Sequence, residues 1–382
     1  MNPQLQWLEA GRQRSARWRS EAALPPPVRL VVADDTLKAD AAYRLVADGS
    51  AILWRGDWQN ARQLLLALSR RVDRQPRLGS DKKPVTLAEA FARHRSNQGR
   101  RAGLLGRLLV PLDADYSVPL RRAQDVRSAC GEAYGPESED SVVSLRELLA
   151  VISAHEWRKK GIPVPAVEGR IYPHYGVFSP VRGEYVDLVA KAPLPPACLL
   201  AGQERAFDIG TGSGILAAIL ARRGIKHVVA TDQDQRALHC AMENVQKLGL
   251  TAAIEIIKAD LFPDGRAPLI ICNPPWLPAQ PSSPIEYAVY DPDSRMLRGF
   301  LAGLAAHLEA NGEGWLILSD LAEHLGLRSR DELLGWISAA GLQVLGHIDT
   351  RPQHPKASDR SDPLHVARSA EVTSLWRLGR AN

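Results

Sequence analysis

The stretch RAFDIGTGSGILAAILARRGIKHVVATD, residues 205–232, decides the fold class. RAFDIG reads as a buried strand, GILAAILARRG as a helix and HVVATD as a second strand. Gly210, Gly212 and Gly214 occupy the turn between the first strand and the helix, where glycine admits positive φ and lets a ligand approach the backbone. A glycine-rich turn alone is weak evidence, because any α/β protein can need a tight turn there. Outward from it the pattern repeats. DQRALHCAMENVQKLGL reads as a helix, AIEIIKAD and APLIICNPP as strands, SRMLRGFLAGLAAHLEANG as a helix, EGWLILSD as a strand and SRDELLGWISAAG as a helix. LQVLGHIDT and AEVTSLWRL end the chain as two strands with no helix between them, which predicts an antiparallel pair. The alternation predicts a parallel sheet with helices on both faces. This domain is assigned to residues 166–382.

The ends of the consecutive strands carry polar residues. Asp208 and the glycines end the first strand and Thr231-Asp232 the second. Ala259-Asp260-Leu261-Phe262 ends the third, and Asn273-Pro274-Pro275-Trp276 the fourth. Open α/β sheets bind ligands at the carboxyl ends of their strands. A carboxylate at position 232 can accept both hydroxyls of a ribose, and one at 260 can accept from an adenine amino group.

Together these motifs resemble the class I S-adenosylmethionine-dependent methyltransferases. DIGTGSG is similar to their first motif, and NPPW to the [DN]PP[YFW] motif of the members that methylate planar amino nitrogens. The resemblance implies a Rossmann-like seven-stranded sheet ending in an antiparallel strand, and S-adenosylmethionine as cofactor. It implies a cofactor site of Asp208, Gly210, Thr211, Gly212, Gly214, Asp232, Gln233, Asp260, Leu261 and Asn273. It also implies a catalytic segment of Asn273, Pro274, Pro275 and Trp276. GVFSPVRGEYVDL, residues 176–188, is similar to the segment before the first motif in the branch containing release-factor glutamine and ribosomal RNA guanine methyltransferases. Trp276, and Ser179-Pro180-Val181-Arg182, depart from the NPPY and IPRP of the glutamine enzymes.

The chemistry explains NPPW. An amide or base amino group is planar, with its lone pair delocalised. The Asn273 side-chain oxygen and the Pro274 carbonyl can each accept one of its N–H bonds and aim the lone pair at a methyl donor, while the prolines hold the loop. Trp276 can stack on a flat target. Tyr287, Tyr290 and Asp291 read either as a lid over the substrate or as a loop capping the next helix through Asp293.

The rest of the chain sets the context. Its 382 residues suggest about two domains by a typical domain size. An apolar fraction of 45% and a charged fraction of 24% exclude disorder, coiled coils and small disulfide scaffolds. No apolar run approaches the roughly 20 residues that span a bilayer. MNPQLQWLEAGRQRSARWRS lacks a secretory signal, and its Arg12, Arg14, Arg17 and Arg19 read as a basic helix. Cys130, Cys198, Cys240 and Cys272 are scattered, as in a reduced cytoplasmic protein without a metal site. Residues 1–165 hold 27 Lys and Arg against 19 Asp and Glu, a net +8, and residues 166–382 net −3. Arg55 to Arg107 contains 13 basic and 4 acidic residues, either a nucleic-acid contact or a solvated surface.

Residues 1–165 read as a helix-rich, mixed substrate-recognition domain. Strands are expected at 28–32 and 51–54, and helices in TLKADAAYRLVADG, NARQLLLALSRR, TLAEAFARHRSNQGRRAGLLG, VPLRRAQDVRSACGEAYG and VVSLRELLAVISAHEWRKKG. Thr86 and Glu89 form a capping signal. VEGRIYPHYGVF reads as an aromatic hairpin, Glu184 to Ala190 as a short helix, and residues 351–369 as a polar insertion. The expected activity is N-methylation of a translation component, a protein glutamine or an RNA exocyclic amine. A small-metabolite N-methyltransferase and a catalytically silent, cofactor-sensing RNA-binding protein are the alternatives.

Overall fold

The chain divides into two units, Met1–Lys83 with Ala92–Glu156, and Pro84–Phe91 with Trp157–Asn382. The structure is a computed structural model and describes residues 3–75, 86–136, 139–179, 183–200, 202, 204–281, 284–352 and 359–381.

In the first unit, β1 (Gln4–Glu9) and β2 (Arg12–Arg19) form an antiparallel hairpin. Ala10 and Gly11 both have positive φ, the turn whose twist matches paired strands. β3 (Leu30–Ala33), α1 (Ala39–Ala47), β4 (Ala51–Trp54), α2 (Trp58–Arg74), α3 (Leu87–Leu105), β5 (Leu108–Leu112), α4 (Arg127–Tyr134), β6 (Ser141–Ser144) and α5 (Leu145–Lys160) follow. The strands make one mixed sheet in the order β1-β2-β6-β5-β4-β3. The basic helix expected at Arg12–Arg19 is therefore a strand. Arg19 is buried, donates to Ser141 Oγ at 2.9 Å and lies 5.0 Å and 5.1 Å from the ring centres of Tyr116 and Tyr134. Within VPLRRAQDVRSACGEAYG only Arg127–Tyr134 is helical. Arg121 and Arg122 instead hold the fully buried Asp57, whose Oδ1 accepts from Gln59 N at 2.8 Å at the start of α2.

The second unit contains β7 (Ile162–Val164), β8 (Gly169–Ile171), α6 (Glu184–Lys191), β9 (Arg205–Ile209), α7 (Ile215–Arg222), β10 (His227–Asp232), α8 (Gln235–Lys247), β11 (Ile254–Lys258) and β12 (Ala267–Cys272). α9 (Arg295–His307), β13 (Leu308–Ser319), α10 (Leu321–His324), α11 (Arg330–Ala339), β14 (Leu342–Thr350), α12 (His365–Ala370) and β15 (Thr373–Arg380) complete it. The sheet runs β11-β10-β9-β12-β13-β15-β14. β9 to β13 are mutually parallel, and β15 lies antiparallel between β13 and β14. The two-stranded hairpin is β7 with β8, so VEGRIYPHYGVF contributes one strand and a trailing segment, not a whole hairpin. α12 lies between β14 and β15, where no helix was expected. Residues 353–358 of the polar insertion lie outside the described residues.

Burial follows the strand period of two. Ala206, Leu269 and Ile271 share one core with α7, and Phe207, Ile209, Ile270 and Cys272 share another with Leu297, Phe300, Leu301 and Leu304 of α9. The chain passes outward from β9 to β10 and β11, then returns to place β12 on the other side of β9. That reversal puts the carboxyl ends of β9 and β12 at the topological switch point, where such sheets hold ligands. Among the described residues no helix is long and apolar enough to cross a membrane, and no group of three His, Cys, Asp or Glu is placed to hold a metal.

Candidate active site

Three glycines shape the turn after β9, each for its own reason. All have positive φ: +72° at Gly210, +55° at Gly212 and +80° at Gly214. A Cβ on Gly210 would collide with the Met296 methyl, and one on Gly214 would stand 3.3 Å from Ala241 Cα. A Cβ on Gly212 would meet nothing within 4 Å, so its backbone faces open space. The turn is joined to the end of β10 by two hydrogen bonds. Thr211 N donates to Thr231 O at 2.8 Å, and Gly212 N to Asp232 Oδ2 at 3.0 Å.

Asp208 is buried at the end of β9. Its Oδ2 accepts from Thr211 Oγ1 at 2.6 Å and Ala217 N at 3.0 Å, while Oδ1 is buried without a partner. Burial pushes its carboxyl up to about 6, with the nearby Asp232 charge adding to the rise and the two hydrogen bonds opposing it. Asp232 is half-buried and also accepts from Asp234 N at 2.9 Å. Burial raises its pKa against these N–H donors. Gln233 is exposed beside it.

Asp260 is exposed and pairs with Arg295 at 3.1 Å. The preceding residue ties it to the end of β10, where Ala259 N donates to Asp232 O at 3.2 Å. The neighbouring Leu261 is the element that joins this corner to the others: its carbonyl accepts from Thr231 Oγ1 at 2.5 Å. Leu261 holds φ at +76°, a strained value for a bulky residue.

Asn273 follows β12, on the opposite side of β9 from Asp232 in the sheet order. Asn273 and Trp276 are both half-buried, and Trp276 Nε1 donates to Asn273 Oδ1 at 3.0 Å. Pro274 is buried and Pro275 half-buried between them. The chain then turns back on itself: Asp291 N donates to Leu277 O at 2.8 Å, and Leu277 N to Val289 O at 3.2 Å. The cap of α9 is Asp291 and not Asp293. Asp291 Oδ2 accepts from Met296 N at 2.9 Å and Leu297 N at 3.2 Å, while Asp293 and Ser294 take left-handed conformations. Tyr290 packs near Phe91, and Tyr287 is exposed.

Sequence reasoning passed over three contributors. Phe91 opens α3 yet belongs to the second unit, and its only sequence signal was an apolar position after the Thr86 cap. Asn244 is a buried amide in a helix otherwise read as amphipathic. Arg295 was read simply as the start of a helix.

The arrangement gathers an unfilled acceptor on Asp208, an open backbone at Gly212, a half-buried carboxylate at Asp232 and an amide at Asn273 around one sheet reversal. These groups fit a ligand with a cationic amine and a ribose. Residues 197–274 match the family model "Ribosomal protein L11 methyltransferase (PrmA)". A release factor glutamine methyltransferase from Cereibacter sphaeroides is 31% identical over 163 residues, covering 38% of this chain and 56% of that protein. A ribosomal protein L11 methyltransferase from Sorangium cellulosum is 32% identical over 165 residues, covering 43% and 44%. The crystal structure of a ribosomal protein L11 methylase from Lactobacillus delbrueckii subsp. bulgaricus aligns with 47% of this chain and 70% of its own, at 21% identity and a TM-score of 0.32. The chain spans about half the length of the two curated relatives. The matched stretch, residues 197–274, contains the glycine turn, Asp232, Asp260 and Asn273 and is similar to ribosomal protein L11 methyltransferases.

Proposed function

We propose that the protein transfers a methyl group from S-adenosylmethionine to a planar amino nitrogen of a translation component in the cytoplasm, with a protein glutamine as the first choice. The observation that carries the reading is Asn273, held at the end of β12 beside the glycine turn with its side-chain oxygen oriented by Trp276. When bound, S-adenosylmethionine supplies an electrophilic methyl on a sulfonium. Asp208 and the backbone of Gly210, Thr211, Gly212 and Gly214 would hold its methionine portion, Asp232 and Gln233 its ribose, and Asp260 and Leu261 its adenine.

Asn273 Oδ1 has two lone pairs. Trp276 occupies one, and the other accepts an N–H of the target, as does the Pro274 carbonyl. Holding both N–H bonds turns the nitrogen lone pair toward the methyl donor before reaction, so little reorganisation remains at the transition state. The nitrogen becomes acidic once methylated, so its proton leaves without a strong base. Trp276 is committed at its indole edge to Asn273, which makes positioning, more than stacking, its contribution.

The first unit is the proposed recognition domain. Its arginines favour a protein over RNA as the partner. Arg55 is bidentate to Glu9, Arg71 pairs with Asp40, Arg101 with Asp73, and Arg107 donates to Val46 O. Cations already paired within the chain must break those pairs before they can exchange for phosphates. The test is incubation with methyl-labelled cofactor and extract from a strain lacking the protein, followed by ribonuclease or protease digestion. Macromolecular label removed only by protease is expected. Label removed only by ribonuclease gives the RNA reading, and label in a small soluble product gives the metabolite reading. Cofactor binding without any transfer gives the silent sensor.

A further inference from the structure

We infer that Asn244 is a positioning residue of the cofactor site, pinning the glycine turn at Ser213 to the segment that precedes β9. The inference rests on the glycine turn being the cofactor site. Asn244 lies on α8 and is 1% exposed. Its Oδ1 accepts from Tyr172 N at 2.8 Å, and its Nδ2 donates to Ser213 O at 2.9 Å. One planar amide thus closes two backbone groups from parts of the chain separated by 41 positions. Serving an N–H and a carbonyl at once requires an acceptor and a donor on the same rigid group, which asparagine provides. A carboxylate provides only acceptors, and an apolar side chain provides neither.

The surroundings show that this is a built junction. Residues 172–177 lie along one face of α8. The Arg236 guanidinium is 5.7 Å from the Tyr175 ring centre, and Lys247 Nζ is 3.7 Å from that of Tyr172. Val177 packs on Ala237 and Cys240. Glu243 accepts from His174 Nε2 at 2.7 Å and also pairs with Arg158 and Lys247. The spacing 236, 240, 244, 247 is a single helical stripe. Within this grip Asn244 also reaches the glycine turn. Ser213 stands between Gly212, whose N–H holds Asp232, and Gly214, which packs on Ala241. Holding the Ser213 carbonyl therefore restrains the turn from which the Gly212 N–H reaches the Asp232 carboxylate.

The test uses Asn244→Asp in the full chain, with S-adenosylmethionine affinity measured by calorimetry at pH 8 and pH 5.5. The carboxylate keeps the acceptor for Tyr172 N but turns an oxygen toward the Ser213 carbonyl. The protonated form restores a donor there, and burial raises the pKa of such a carboxyl. The expected result is affinity at least tenfold below wild type at pH 8, recovering to within threefold at pH 5.5, with turnover at saturating cofactor within threefold. Cys240, Glu243, His174, Lys247 and Arg158 around the position, and Asp208 and Asp232 in the turn, are common to both proteins, so the variant-to-wild-type ratio isolates residue 244. Glu243→Gln, which loosens the same grip without touching Ser213, is expected to stay within twofold. If Asn244→Asp does not fold at pH 8, Asn244→Ser, too short to reach both partners, takes its place, with the same tenfold loss expected. Unchanged affinity at pH 8, an equal loss at both pH values in Asn244→Asp, or an equal loss in Glu243→Gln overturns the inference. Wild-type protein that binds no S-adenosylmethionine overturns the cofactor reading itself.

Discussion

Trp276 donates its indole N–H to the side-chain oxygen of Asn273 at 3.0 Å. The bond fixes which end of the amide is the oxygen and where it faces. Trp276→Phe keeps the ring and removes the donor, so the amide is free to rotate. Turnover is expected to fall about fivefold, the order of one neutral hydrogen bond of roughly 1 kcal/mol, with cofactor affinity unchanged. Asn273→Ala removes the acceptor itself and should cost roughly 10²-fold or more. In the double variant the Phe substitution should add nothing, because it acts only through Asn273. Steady-state kinetics with saturating cofactor measure all three, and additive losses would refute the coupling.

Asp232 holds the opposite side of the site. Its two oxygens already accept from Gly212 N and Asp234 N, which aims the carboxylate before any ligand arrives. Asp232→Ala removes the ribose acceptor and frees the Gly212 N–H. Calorimetry should show cofactor affinity weakened by roughly 1.5–3 kcal/mol, the range for hydrogen bonds to a charged group. Affinity equal to wild type would exclude Asp232 from the site.

Much of the second unit was legible because its signals are local. Strands of the RAFDIG kind are short and apolar, helices such as Gln235–Lys247 are amphipathic, and the strand ends carry Asp208, Asp232 and Asn273. What was missed depends on distant partners. The β1–β2 hairpin did carry alternation, with Leu5 and Trp7 buried on one strand and Ala16 and Trp18 on the other. The four arginines masked it, because a buried Arg19 needs Ser141 and Tyr116, residues about a hundred positions away. The capping role moved from Asp293 to Asp291 because two successive left-handed residues, Asp293 and Ser294, displace the start of α9. No local pattern announces that geometry. Asn244 was invisible for the same reason, since its partners Tyr172 and Ser213 meet only in the fold.

Asp208 makes the protein respond to pH. Burial raises its carboxyl to about 6. Because the folded state holds the proton more tightly than the unfolded chain, the associated stability is full below the ordinary carboxyl pKa near 4. It is lost as pH rises through about 6. The difference of about two pK units corresponds to about 3 kcal/mol. Denaturant melts of wild type and Asp208→Asn between pH 4 and 7 should diverge, with wild type losing more stability as pH increases. Cofactor affinity should move the other way, rising about tenfold across that range, because a cationic amine is attracted only to the ionised Asp208. Parallel melting curves would show that Asp208 ionises normally.

Phe91 connects the loop after Asn273 to the start of α3. It is buried in a cluster with Ala90, Leu277, Leu321, Ala322, Leu325 and Leu364, and its ring centre is 6.5 Å from that of Tyr290. Leu277 directly follows Trp276, so the cluster anchors the chain just after the Asn273–Trp276 segment, while Trp276 itself packs on the two cores of the sheet. Phe91→Ala opens a cavity there and should destabilise the second unit by roughly 3–5 kcal/mol, as large-to-small core substitutions do. The glycine turn is held by Met296, Ala241, Thr231 and Asp232, outside this cluster, so cofactor affinity below the melting transition should stay within twofold of wild type. Turnover should fall several-fold, because a loosened Leu277 lets Trp276 and Asn273 drift from the geometry transfer requires. Tm by scanning calorimetry, cofactor affinity and turnover can be read on the same preparation. A lowered Tm with unchanged turnover would show that Phe91 supports the fold without holding the catalytic segment.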